Sequence, residues 1–146
     1  MIELRQIDTS NFDAIMRMKR PDGEGFVAPN ACSLAQAWLY REANRVFPIA
    51  IYHEEEPVGF LLLDEDVAER CLVVWRIMFP PENQNKGYGS QTLRRVIADA
   101  RASGKFDFLM LTVNPKNTLG RHVYENLGFV HTGKMAHGEM EMRLDL

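Results

Sequence analysis

Apolar and polar residues alternate from Ile2 to Ile7, the period-two pattern of a half-buried first strand. From Asp8 to Arg20 the apolar positions Phe12, Ile15, Met16 and Met18 predict a helix, with Arg17, Lys19 and Arg20 suiting its C-terminal end. Pro21 to Gly25 reads as a loop, and Phe26 to Asn30 continues it with apolar residues. Ser33-Leu34-Ala35-Gln36 carries a capping-box signature. The helix it opens places Leu34, Ala37, Trp38 and Arg41 at helical spacing and ends near Asn44. Phe47 to Tyr52 and Pro57 to Leu63 predict two strands joined by the hairpin connection His53-Glu54-Glu55-Glu56, and Asp64 to Arg70 predicts a charged turn.

The second half is more strongly marked. An apolar run from Leu72, rich in Val, Ile and aromatics, predicts a buried strand that Pro80-Pro81 must stop, because proline donates nothing to a ladder. After Gln84-Asn85-Lys86-Gly87-Tyr88-Gly89, Leu93, Val96, Ile97 and Ala100 form the apolar face of an amphipathic helix, with Gly104 placed to end it. Phe106 to Val113 predicts a strand buried on both faces beside the first. Asn114-Pro115 offers a cap and a first-turn proline to a helix carrying Leu119, Val123 and Leu127, which Gly128 closes. Phe129 to Thr132 and Glu139 to Leu146 predict the last two strands, joined through Gly133 to Gly138. The order β-α-α-β-β-β-α-β-α-β-β predicts one domain over residues 1–146. Its α+β fold is a mixed, mostly antiparallel sheet of about seven strands, with one parallel pair and helices on both faces.

Composition narrows the function more than the fold. Hydrophobic residues make 46% of the chain and charged residues 25%, as in an ordinary soluble protein. The longest apolar runs are strand-sized, so neither a membrane span nor a signal peptide is expected. Cys32 and Cys71 are too few for a disulfide framework or a metal cluster, and free thiols in a cytoplasmic protein are expected. The net charge of −3 without a basic stripe argues against nucleic acid and is compatible with a cationic substrate.

Strand, glycine-containing turn and helix start form an anion site, since consecutive N–H groups point outward and the helix dipole favours negative charge. A P-loop needs Gly-Lys-Ser/Thr at its end, and here Lys86 precedes the first glycine. A dinucleotide fingerprint needs a third glycine where Thr92 stands. The order Gln-x-x-Gly-x-Gly instead resembles the acyl-CoA loop of the GNAT (Gcn5-related) N-acetyltransferases. So does Asn114-Pro115-Lys116-Asn117 followed by Arg121 and Tyr124-Glu125-Asn126-Leu127-Gly128-Phe129, which is similar to the family's second signature. Phe26-Val27-Ala28-Pro29-Asn30, Ser33-Leu34-Ala35, Phe47 to Tyr52 and Trp75-Arg76 resemble the bacterial spermine/spermidine (diamine) N-acetyltransferases within it. The chain departs from the pattern at Asn83 and Asn85, which replace an aromatic and a glycine; were Asn85 to need positive φ, asparagine would tolerate it.

The resemblance implies a GNAT fold with its parallel pair at the cofactor cleft, and direct attack of an amine on the thioester of acetyl-CoA. It implies that the backbone of Ile77, Met78 and Phe79 holds the pantetheine arm like an added strand, with one N–H polarising the thioester carbonyl. It implies that Gln84, Asn85, Lys86, Gly87, Tyr88, Gly89 and Ser90 hold the pyrophosphate, and that Asn114, Asn117 and Arg121 face the cofactor. Tyr124 becomes the expected general acid for the departing thiolate. The expected acceptor is a polyamine or small diamine, met by aromatic walls drawn from Phe26, Trp38, Tyr40, Tyr52 and Trp75 through cation–π contact. Arg76, if buried, needs a carboxylate partner. A primary amine is almost wholly protonated at neutral pH, and exposing its lone pair costs about 4–5 kcal/mol, yet no residue stands out as the base. Asp64 to Asp66 and Glu54 to Glu56 suit solvated turns, and Glu24 and Glu139 lie near candidate cleft loops with no better claim. No metal ligand set is present in the sequence, and a homodimer is expected from the family. Acetylation of a protein N-terminus or lysine, or acyl-CoA binding without turnover, are the alternatives.

Overall fold

The computed structural model describes residues 1–19 and 29–146. Its strands are β1 (Ile2–Gln6), β2 (Val46–His53), β3 (Glu56–Asp66), β4 (Cys71–Met78), β5 (Phe108–Val113), β6 (Val130–Ala136) and β7 (Glu139–Asp145). The α-helices are α1 (Phe12–Arg17), α2 (Asn30–Leu39), α3 (Tyr88–Ser103) and α4 (Thr118–Asn126). They build a seven-stranded sheet in the order β1-β2-β3-β4-β5-β7-β6, antiparallel throughout except for β4 and β5. Because α3 crosses between these two strands, a parallel pair is what the chain order demands.

Two apolar clusters hold helices to opposite faces. Leu93, Val96, Ile97 and Ala100 of α3 pack with Ile51, Leu61, Leu72, Val74 and Leu109, and Val123 and Leu127 of α4 lie against the same cluster. On the other face Ile15 of α1 and Ala37 of α2 pack with Ala50, Phe60, Leu62 and Met78. The α3 face is the one its 3.6-residue period predicts, and full burial of a side chain such as Leu93 stabilises by about 1.5–3 kcal/mol. Gly104 ends α3 in the left-handed region, as expected.

Several boundaries differ from the sequence-based expectation. Helix α1 is shorter than residues 8–20, because Asp8 and Asn11 divert the preceding backbone. Asn11 Oδ1 accepts from the Asp8 N–H at 2.9 Å, and Asp8 Oδ1 accepts from the Ser10 N–H at 2.8 Å. Helix α2 begins at Asn30 rather than at a Ser33 cap: Ser33 is fully buried inside it, and Asn30 Nδ2 donates to the Ile15 carbonyl at 2.8 Å. Asp64, Glu65 and Asp66 are not a turn but the end of β3, paired with Val73, Leu72 and Cys71. Arg45 holds Asp64 there through two hydrogen bonds of 2.6 and 3.0 Å. Strand β5 starts at Phe108 and is not buried on both faces, since Thr112 is exposed. Helix α4 starts at Thr118, with Asn117 rather than Asn114 as its cap. Strand β6 runs on to Ala136, exposed along its whole length, and turns into β7 at His137-Gly138, both at positive φ.

Two irregularities in β4 shape the site. Leu62 pairs with Arg76 and Leu63 with Val74, so Trp75 is the extra residue of a β-bulge. The β4–β5 ladder covers only Cys71–Val73 against Phe108–Met110, and beyond it the strands part. Past the end of β4, Phe79 is pressed onto β3: a Cβ at Gly59 would lie 2.6 Å from the Phe79 ring and 2.7 Å from the Met78 carbonyl oxygen. Gly59→Ala is therefore expected to cost about 1–3 kcal/mol by overpacking, read as a lower urea midpoint with an unchanged m-value. An unaltered midpoint would show that Phe79 moves aside freely.

Candidate active site

Where β4 and β5 separate, the β4 edge from Val74 to Met78 lacks a neighbouring strand on its β5 side, and two cavities meet there. The larger, about 680 Å³, is lined by Ile77, Met78 and Phe79, by residues from Asn83 to Leu93, and by the start of α4. The smaller, about 400 Å³, is lined by the bulged part of β4, the end of β5, Asn114, and the turn into β7. Ile77, Asn117 and Tyr124 line both.

The floor of the larger cavity is a left-handed turn feeding a helix. Asn85 has φ 60° and Gly87 φ 79°, and Gly87 stands at the N-cap of α3 with no side-chain cap bond. The first bond onto this turn runs from the Gln91 N–H to the Gly87 carbonyl, which leaves the earlier N–H groups of Tyr88, Gly89 and Ser90 for another acceptor. At Gly89 an added Cβ would make only an ordinary 3.7 Å contact with Phe79, so protein packing does not require a glycine there. The turn is tied down from both sides. Gln84 Nε2 donates to the Phe79 carbonyl at 2.7 Å and Asn83 Nδ2 to the Val58 carbonyl at 3.0 Å. The Tyr88 ring sits beside His53 and Phe79, with centroids 4.9 and 6.3 Å apart. An anionic ligand fits this cradle, since outward N–H groups and the helix dipole both favour it.

The roof is α4. Asn117 Oδ1 accepts from the Gly120 N–H at 3.0 Å, and a Cβ at Gly120 would come within 2.7 Å of Asn117 Nδ2. A larger residue at 120 would push the capping side chain away. Tyr124, in the last turn of α4, packs edge-on against Phe129 with centroids 6.1 Å apart. Burial first, and then the negative charge of Glu139, push its phenol up to about 12. It therefore stays protonated throughout the physiological range, as a hydrogen-bond donor must.

The smaller cavity is walled by Trp75, Arg76, Thr112, Asn114, His137 and Glu139. Arg76 has no carboxylate within ion-pair distance among the described residues. Its Nη1 donates instead to Ser33 Oγ at 3.2 Å and to Gln36 Oε1, and the guanidinium stands 4.8 Å from the centre of the Trp75 ring. Burial lowers its pKa. Glu139 Oε1 accepts from the Thr112 hydroxyl at 3.1 Å.

Of the residues singled out in the sequence, Ile77 to Phe79, Gln84, Asn85, Gly87 to Ser90, Asn117 and Tyr124 line the larger cavity. Lys86 and Arg121 do not: Lys86 is exposed, and Arg121 turns back to the Pro115 carbonyl and Glu125. Asn114 lines only the smaller cavity, where it also accepts from the Lys116 N–H. Trp75 lines the smaller cavity. Trp38 is 64% exposed and stacked by Arg41, and Tyr52 is buried in the α1–α2 cluster, so neither reaches either cavity. Tyr40 lies beside Trp75, 6.2 Å between centroids. Phe26 and Glu24 lie outside the described residues. The sequence put Glu139 near a cleft loop without a role and left Thr112 unmarked, because 27 positions separate them and only the sheet brings them together.

A sheet that opens beside a glycine-bearing helix start, with a protonated phenol at the opening, is the framework of an acyltransferase. The model of the acetyltransferase (GNAT) family matches residues 11–129, and the chain belongs to that family of acetyl-CoA-dependent N-acetyltransferases. No curated protein sequence matches it. Among solved structures it is similar to a spermidine N-acetyltransferase from Vibrio cholerae in complex with CoA and spermine, at 17% identity and a TM-score of 0.76 over 97% of this chain and 92% of that one. It is also similar to the PaiA N-acetyltransferase of Thermoplasma acidophilum in complex with coenzyme A, at 15% identity and a TM-score of 0.75 over 100% and 99%. A third, an acetyltransferase of this family from Desulfovibrio desulfuricans, matches at 18% identity and a TM-score of 0.76 over 99% of both chains. At such identities the likeness is one of fold.

Asn117→Ala removes the α4 cap and is expected to cost about 1 kcal/mol, visible as a lower unfolding midpoint. An unchanged midpoint would mean that the Gly120 N–H finds another acceptor.

Proposed function

We propose that the chain transfers the acetyl group of acetyl-CoA to a primary amine by direct attack in a ternary complex. The carrying observation is that Tyr124 lines both cavities at the point where β4 and β5 part. In this reading the larger cavity holds acetyl-CoA. Its pyrophosphate lies on the N–H groups from Asn85 to Ser90, and its pantetheine arm runs along the unpaired edge of Ile77, Met78 and Phe79. The amine enters through the smaller cavity. A polyamine or diamine is the acceptor class this reading favours, supported by the fold shared with spermidine N-acetyltransferases and by Trp75 and the carboxylate of Glu139 in the smaller cavity. Homodimer formation and a cytoplasmic location belong to the same reading. Among the described residues no helix is long and apolar enough to cross a membrane.

Tyr124 acts on the sulfur. A phenol near 12 is protonated at neutral pH and stabilises charge developing on the leaving sulfur as a hydrogen-bond donor. Complete proton transfer to a thiolate whose acid lies near 8.5 is uphill by about 5 kcal/mol, so hydrogen bonding and not full protonation is the main effect.

The testing experiment measures thiol release from acetyl-CoA with spermidine, spermine, small diamines, amino acids and short peptides. Turnover with polyamines supports the reading; turnover with peptides alone, or none despite bound acetyl-CoA, overturns the acceptor or the reaction. Tyr124→Phe is expected to lower kcat about 10²–10³-fold while acetyl-CoA still binds. Because its phenol is raised, the parent kcat is expected to show no loss from Tyr124 ionisation as pH rises through 10. An inflection near 10 that disappears in Tyr124→Phe would contradict the assigned environment.

A further inference from the structure

We infer that Glu139, braced by Thr112, holds a second cationic group of the acceptor and so selects diamines over monoamines. This rests on the acetyl-transfer reading above and adds to it the residue that sets specificity. Glu139 is the one carboxylate among the described residues lining the smaller cavity. It opens β7 directly after the His137-Gly138 turn, facing Ala136 across the hairpin. The Thr112 hydroxyl reaches it from β5 and donates to Oε1 at 3.1 Å, while Oε2 has no partner among the described residues. A carboxylate that accepts from a neutral hydroxyl retains its charge for a ligand.

The cation already in the wall feels the charge of Glu139 but does not pair with it. The Arg76 guanidinium is drawn toward α2 by Ser33 and Gln36 and lies over Trp75, and it makes no ion pair with Glu139. These two charges therefore mark opposite preferences within one cavity. An ammonium is attracted toward Glu139 and repelled from Arg76, which restricts how a dicationic chain lies. The Glu139 charge also reaches Tyr124, helping to keep that phenol protonated.

Anchoring is a better role for Glu139 than proton abstraction. A carboxylate next to the reacting nitrogen would favour its ammonium form, which cannot attack the thioester. A carboxylate holding the far ammonium orients the chain and leaves the near amine to react as the free base. The step then balances simply. The near nitrogen gives its lone pair to the thioester carbon, the C–S pair leaves with sulfur under the Tyr124 hydroxyl, and the remaining excess nitrogen proton passes to solvent. Glu139 exchanges no proton in this step.

The test compares 1,4-diaminobutane with butylamine, which differs in lacking the second ammonium, using the full chain and acetyl-CoA. The parent is expected to prefer the diamine at least tenfold in kcat/KM. Glu139→Gln is expected to raise the diamine KM about 10- to 100-fold, the scale of a hydrogen bond to a charged group. Its KM for acetyl-CoA stays within about twofold, and its kcat/KM falls at least tenfold more with the diamine than with butylamine, a split that general unfolding would not produce. Glu139→Asp restores part of the affinity, and Thr112→Val gives a smaller rise in the same direction. A parent indifferent to the second ammonium, or a Glu139→Gln variant impaired equally on both amines, overturns the inference and leaves acetyl transfer intact. A parent that releases no thiol with any amine overturns both.

Discussion

The site depends on a ladder that stops early. β4 and β5 pair through three positions, Cys71–Val73 against Phe108–Met110, and then separate. Each strand continues past the last pair, so the gap is walled by ordered backbone from both sides. Parallel neighbours inside a sheet normally leave no such opening, because every unpaired N–H and C=O there would lack a partner. The bulge at Trp75 and the pressing of Phe79 onto Gly59 hold β4 against β3 while its other edge stays free. That edge is the place where an extended ligand can complete the sheet.

Two helices exploit the gap in different ways. α3 starts at its mouth and directs N–H groups into it through the turn at Asn85 and Gly87. α4 crosses above it and lowers a phenol between the two cavities. The α3 start supplies a positive pole, whereas Tyr124 supplies a neutral donor whose proton is retained by burial and by the charge of Glu139. In the proposed binding mode, charge on phosphate and charge on sulfur would be met by separate devices.

How much of this was legible beforehand follows from the range of each interaction. The α3 face, Leu93, Val96, Ile97 and Ala100, was readable because local period alone determines which side chains turn inward. The Gln84 to Ser90 turn and Tyr124 were readable through their likeness to family motifs, and both line the larger cavity. The capping box at Ser33 misled because a distant residue claims that serine: Arg76 of β4 takes its hydroxyl, and the helix starts a turn earlier. Asn114-Pro115 misled because Asn117 competes for the same role and wins by capping Gly120. Asp64 to Asp66 looked like a turn by charge, yet Arg45 and the β4 ladder keep them extended. The pairing of Glu139 with Thr112 was invisible, since nothing local to either residue marks the other. Trp38 shows the converse error, an aromatic chosen by type that the fold leaves in solvent beside Arg41.

The central claim is that the two cavities meet at Tyr124, so that both substrates are bound together when the acetyl group moves. Initial rates measured across a grid of acetyl-CoA and amine concentrations test this directly. Double-reciprocal lines that intersect are predicted, as attack within a ternary complex requires. Parallel lines, together with an acetylated protein trapped when the amine is withheld, would contradict it.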